Sequence, residues 1–149
     1  MSAIKTKSRV KLVTTSMYFV PEYRDPAGST LPPWTEPYPV SEAILHRRGL
    51  DPYSLMFFQV PDNSNYQKFK TGDIAMIDTS HRVMRDGMRY LIQHPQGARI
   101  RRCFINLDNS LTLCPDVMNP NFRPEVVRPE SIHLVNVVGW VAYVVGWGD

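Results

Sequence analysis

Short apolar runs alternate with tight polar turns along most of the chain, which is the rhythm of strands and not of long helices. Strands are predicted over residues 55–60, 74–77, 88–93, 99–104 and 111–114, followed by a long apolar one over 132–145. The turn signals between them are Asp62-Asn63, Thr71-Gly72, Asp86-Gly87, Pro95-Gln96-Gly97, Asp108-Asn109 and Asn119-Pro120. Upstream the alternation is weaker, with Val10, Leu12 and residues 17–20 as short strand candidates. Residues 21–39 hold six prolines with Asp25, Gly28, Ser29 and Thr30 among them, an extended, exposed segment with no helix. One helix is predicted, over 41–48. Ser41 caps its start, Ile44 and Leu45 face inward, Arg47 and Arg48 sit at the negative end of the dipole, and Gly49 stops it. The expected fold is mostly β: a strongly coiled antiparallel sheet, partly closed like a barrel, with one short helix. Residues 1–40 read as an N-terminal arm and residues 41–149 as the β domain.

Composition agrees with that picture. Apolar residues make up 43% of the 149, enough for a core, and 13 prolines with 8 glycines suit a turn-rich fold. The net charge of +3 is unevenly spread. Lys5, Lys7, Arg9 and Lys11 give the first eleven residues +4. Between positions 82 and 102, six arginines (Arg82, Arg85, Arg89, Arg99, Arg101 and Arg102) face one acid, Asp86, for +5, so the rest of the chain carries −6. Two basic patches on an acidic body suit contact with nucleic acid or an acidic partner; a solvated arm and hairpin explain them equally simply. Cys103 and Cys114 form neither a disulfide framework nor a metal site, and no cofactor is expected. The N-terminus lacks the apolar core of a signal peptide and no run is long enough to span a membrane, so a cytoplasmic protein is the default expectation.

Three local features fall in a telling order. Ala27-Gly28 lies in the proline-rich arm, Ser64 in the turn after the 55–60 strand, and Arg101 within the 99–104 strand. Ala27 (position 27) precedes Ser64 by 37 residues, and Ser64 precedes Arg101 by 37. This arrangement resembles the S24-type serine/lysine self-cleaving domains: LexA, the phage-repressor C-terminal domain and UmuD. Other landmarks resemble them too: Gly72-Asp73-Ile74-Ala75-Met76-Ile77-Asp78, Asp86-Gly87-Met88-Arg89-Tyr90-Leu91-Ile92, Asn119-Pro120-Asn121-Phe122 and Val138-Gly139-Trp140-Val141. The resemblance implies a LexA C-terminal-like fold over about residues 21–145. It also implies a cleavage site at Ala27-Gly28, a nucleophile position at Ser64, and Arg101 at the position of the lysine that takes the serine's proton.

The departures change the chemistry. Ser64 stands in Asp62-Asn63-Ser64-Asn65 instead of a Gly-Asp-Ser-Met turn. A buried lysine can lose its charge and act as a base, but a guanidinium stays protonated. All five lysines (Lys5, Lys7, Lys11, Lys68 and Lys70) precede the strands that would supply the base. His81, His94 and His133 are chemically legitimate substitutes but read as surface residues. Cys103, two residues along the strand from Arg101, is a further candidate nucleophile that reads better as a packed thiol. Ser64 itself has a plain alternative role as a turn serine bonding nearby backbone.

Only about twenty residues precede Pro21, too few for a DNA-binding helix-turn-helix, so the layout is similar to UmuD. The resemblance then implies a catalytically impaired regulator that forms homodimers and contacts a regulatory protein, either a repressor or a DNA polymerase, in the SOS response or in a prophage. Two alternatives stay open: an active serine self-protease cutting Ala27-Gly28, and a nucleic-acid-binding module using the arginines of 82–102.

Overall fold

In the computed structural model, residues 16–65, 68–117 and 120–146 are described. The basic N-terminal residues Lys5, Lys7, Arg9 and Lys11, the strand candidates Val10 and Leu12, and Asn119 and Trp147 lie outside them.

The chain is mostly β. A two-stranded sheet pairs β1 (Met17–Val20) with β2 (Tyr38–Ser41). A seven-stranded antiparallel sheet holds β3 (Leu55–Gln59), β4 (Ile74–Asp78), β5 (Arg89–His94), β6 (Gly97–Ile105), β7 (Leu111–Cys114), β8 (Glu125–Val127) and β9 (Val137–Val145). Its order is β3-β4-β9-β5-β6-β7-β8, so β3 and β8 are opposite edges and the sheet is open. The helix α1 (Glu42–Arg48) forms where expected: the Ser41 hydroxyl accepts from the Ile44 amide at 3.2 Å, and Gly49 ends it in the left-handed conformation. Its inner face is narrower than the sequence suggested. Leu45 is buried, but Ile44 is exposed, because a seven-residue helix lying beside β2 turns one side only to the core.

The long strand expected over 132–145 is shorter. A 3-10 helix, Pro129–Leu134, occupies its first residues and β9 begins at Val137. Pro129 has no amide to give a ladder, and Ser131 and Val135 donate instead to the Arg128 and Ile132 carbonyls. Three elements were not anticipated: β2, β8 and a 3-10 turn at Pro52–Ser54.

β4 is buried at all five positions because both of its faces are covered. Ile74 and Met76 pack with Val20, Val40, Leu45 and Phe57 under the arm and α1; Ala75 and Ile77 pack with Phe58, Leu91 and Ile100. A third cluster, around Tyr90, Ile92, Cys103, Leu111 and Leu113, fills the β5–β7 end. The proline-rich arm, expected to be exposed, is pinned at several points. Glu22 bridges Phe57 in parallel, and Trp34 stands edge-on to the Phe57 and Tyr38 rings at 5.7–5.8 Å while Tyr38 meets Phe57 at a tilt at 5.6 Å. Glu22 also accepts from the Gln59 amide group at 2.8 Å. Most of the arm nevertheless stays exposed as expected, including residues 26–30, which contain Ala27-Gly28, and 32–33 and 35–37.

Candidate functional site

Ser64 follows β3 in a turn closed by its own neighbour. Asp62 Oδ1 accepts both the Ser64 amide at 3.0 Å and the Ser64 hydroxyl at 2.6 Å. The same Asp-x-Ser clasp recurs at Asp78-Thr79-Ser80 and Asp108-Asn109-Ser110 with matching bonds. It is a local device by which aspartate holds a turn. What sets Ser64 apart is that an arginine from another strand reaches its hydroxyl, in a residue only 1% exposed. The loop is stitched down on the far side too, since Val117 donates to the Ser64 carbonyl and the Asn65 side chain joins the Ile100 carbonyl to the Asp116 amide.

From β6, the Arg101 side chain reaches this turn. Its Nη1 donates to Ser64 Oγ at 3.0 Å and to the Ile100 carbonyl at 2.8 Å. The Ser64 hydroxyl therefore donates a hydrogen bond to Asp62 and accepts one from Arg101, with the Asn65 amide group a longer 3.4 Å away. Arg101 is 4% exposed, and its Nε finds no partner. Burial first, and then the charge of Arg99, push the guanidinium below its ordinary range against the pull of Asp62, Glu125 and Asp116. Even so lowered, an arginine does not take a serine's proton.

Ala27-Gly28 is not brought to this pair. Asp25 shapes its turn, accepting from the Ala27 amide at 2.8 Å while its carbonyl takes the Gly28 amide at 3.0 Å. The same carboxylate holds the turn to the far end of the β5–β6 hairpin, through the Gln93 side chain at 2.9 Å and the Ala98 amide at 2.6 Å. Around Gly28 the space is open. Burial alone would raise the Asp25 carboxyl, but the bonds from Ala98, Gln93 and Ala27 and the charge of Arg24 bring it below its usual value. Its folded pKa being depressed, the clamp is at full strength above the ordinary aspartate value of about 3.9 and fails as pH falls through the lower folded one. Asp25→Ala should loosen the turn at neutral pH and raise the rate of tryptic cutting after Arg24 by about an order of magnitude. Unchanged proteolysis would show that the other arm contacts hold the turn.

None of the substitute bases approaches Ser64. His81 stands 3.7 Å from Asp78 and edge-on to Trp140, His94 stands 3.4 Å from Glu125, and His133 is exposed. The Cys103 thiol is buried in the β5–β7 cluster and pushed up by burial and then by Asp86, the opposite of activation.

The arginines of 82–102 do not share a face. Pairing sets Arg89 opposite Arg102 and Tyr90 opposite Arg101, so Arg89 and Arg102 share one side of the sheet while Arg99 and Arg101 share the other. Arg89 is held by Asp116 through two bonds, Arg99 lies 3.6 Å from Glu125, and Arg102 donates to the Gly87 carbonyl. Arg82 and Arg85 stand exposed between β4 and β5. The residues that sequence reasoning missed at the site are Asp62 and Asn65. The Asp-x-Ser pattern was a signal for the first, although it does not tell which of three such turns an arginine reaches.

Against known protein families, residues 23–142 match the family described as peptidase S24-like. No curated protein matches the chain.

Proposed function

The chain belongs to the peptidase S24-like family of LexA- and UmuD-like proteins, and on that premise we propose that it is a regulator whose self-cleavage has lapsed, acting as a homodimer on a protein partner. The observation that carries the reading is the 3.0 Å contact of Arg101 with Ser64, where the family pattern puts a lysine beside the nucleophile. A permanently charged group replaces the base, the serine hydroxyl donates to Asp62, and it is shut from solvent. A protein of this kind keeps the fold for contact alone, with a repressor or a DNA polymerase in the SOS response or a prophage as the partner class.

Support for a dimer comes from a different place than the sequence suggested. β9 lies between β4 and β5, so its apolar length is interior and no open edge. Exposed apolar side chains instead gather at the other end: Val83 and Ile105 border a groove with Ile132 and Val135, and Val126 and Leu134 are exposed beside it. Against the self-protease alternative, no lysine or histidine among the described residues is hydrogen-bonded to Ser64; against the nucleic-acid alternative, the arginines of 82–102 are split between two faces of the sheet. Among the described residues no helix is long and apolar enough to cross a membrane.

Sedimentation at micromolar concentration, with intact mass after incubation near pH ~10 where amine bases are active, tests both halves. A full-length dimer is expected. A strict monomer removes the dimer, and a clean cut between Ala27 and Gly28 removes the lapsed-protease reading.

A further inference from the structure

We propose that the cavity beside Arg101 binds a small carboxylate carrying an apolar group. The starting point is a buried charge without a direct ion pair. Arg101 is buried, yet among the described residues no carboxylate lies within ion-pairing distance of it, and its Nε is unbonded. Buried guanidinium groups are ordinarily matched by an anion, because their desolvation is otherwise uncompensated.

Arg101 forms part of the wall of a cavity of about 230 Å³, and Arg99 forms another part of the same wall. Ile92, Leu113, Val127 and Leu134 make the remainder mostly apolar. That volume is below the roughly 300–1,000 Å³ of drug-sized sites, so the occupant is small. Its charge is a single one. Glu125 also borders the cavity, 3.6 Å from Arg99 and 3.4 Å from His94; it makes no direct ion pair with Arg101, and its charge repels a dianion such as phosphate. A monocarboxylate supplies the planar acceptor pair that a guanidinium fork recognises, and its hydrocarbon part meets the aliphatic wall. The inference deepens the reading of Ser64 and Arg101 as a lapsed catalytic pair and rests on it: the residue that ended the chemistry supplies the ligand's counter-charge.

The test is an amide chemical-shift titration of the full chain with phenylacetate, its neutral analogue phenylacetamide, and inorganic phosphate. Phenylacetate should give saturable shifts confined to β5–β8 and the 129–134 turn, with affinity in the millimolar range or better. Phenylacetamide and phosphate should each bind at least about tenfold more weakly. Arg101→Met should abolish saturation, and Arg99→Gln, at a partly exposed position that leaves the fold intact, should weaken it about tenfold. Equal binding of the amide, no saturable shift, or unchanged affinity in Arg99→Gln would overturn the site. Intact mass of the same samples separates the two claims. A cut chain fails the lapsed-protease reading whatever binds, and an intact chain that binds nothing fails the site alone.

Discussion

Replacing Arg101 with lysine should make the chain cut itself between Ala27 and Gly28, at a rate that climbs with pH. The guanidinium already stands 3.0 Å from Ser64 Oγ, and a lysine, one bond shorter, ends close to the same point. The surroundings that lower the arginine, burial and then Arg99, act on any cation there and would depress an ammonium into a useful range. Only the neutral amine takes a proton, so the rate rises through that depressed pKa and levels off above it. A positioned general base contributes about 10²–10⁴-fold, and the low end is expected here. Ser64 is deeply buried, and Asp25 holds the Ala27-Gly28 turn at the β5–β6 end instead of at the serine. Asp62 works against the reaction twice, since it accepts the serine's hydrogen bond and its charge favours the cation at position 101. Asp62→Asn combined with Arg101→Lys should therefore cut faster than Arg101→Lys alone, and Ser64→Ala added to either should abolish the product. Intact mass followed over time across pH 7 to about 10 reads all of this. If both lysine variants fold and neither yields the Ala27-Gly28 fragment at any pH, Ser64 and Arg101 are not a lapsed catalytic pair.

The juxtaposition of Ser64 and Arg101 was legible through the resemblance to the S24-type domains, which puts the serine turn against the later strand; periodicity alone supplied only the strands. The alternation placed β3 to β7 within a residue or two and the α1 cap at Ser41. It was silent where backbone bonding and packing partners decide. Proline-rich residues 21–39 looked solvated, yet Trp34 and Tyr38 find Phe57, a partner no local pattern announces. The six arginines looked like one patch because sequence proximity hides the pleat, which sends Arg99 and Arg101 to the opposite side from Arg89 and Arg102. The clasp of Asp62 on Ser64 is local turn chemistry found three times among the described residues, so its consequence at the turn that Arg101 reaches appears only once the loop is packed against residues 100 and 117. Residues 132–134 read as strand from hydrophobicity alone, and Pro129 overrode them.

Gly139 was legible only as part of a motif, and its reason is steric. It sits in β9 opposite Leu91, with Trp140 beside it facing Asp78. Register shifts flank it on both sides, between Met76 and Ile77 on β4 and between Leu91 and Ile92 on β5, and these bulges bring the neighbouring backbone unusually near. A Cβ at this position would meet the Asp78 carbonyl oxygen at 2.5 Å, its carbon at 2.9 Å and Ile77 Cγ2 at 2.9 Å. Two of those atoms are backbone in a strand buried at every position, so the clash is relieved only by moving β4 away from β9 at the centre of the sheet. Gly139→Ala should cost about 2–3 kcal/mol, at the upper end of overpacking changes. For a chain of this size that lowers Tm by roughly 5–12 °C. Gly146→Ala is the matched control: its nearest atom would be Asp73 Oδ1 at 3.6 Å, an ordinary contact, and it should melt with the parent. Urea titration should move the midpoint of Gly139→Ala and leave the slope unchanged, since the unfolded chain is the same. A Gly139→Ala protein as stable as the Gly146→Ala control would mean that β4 and β9 have the freedom to part there, and the close approach would not be what requires glycine.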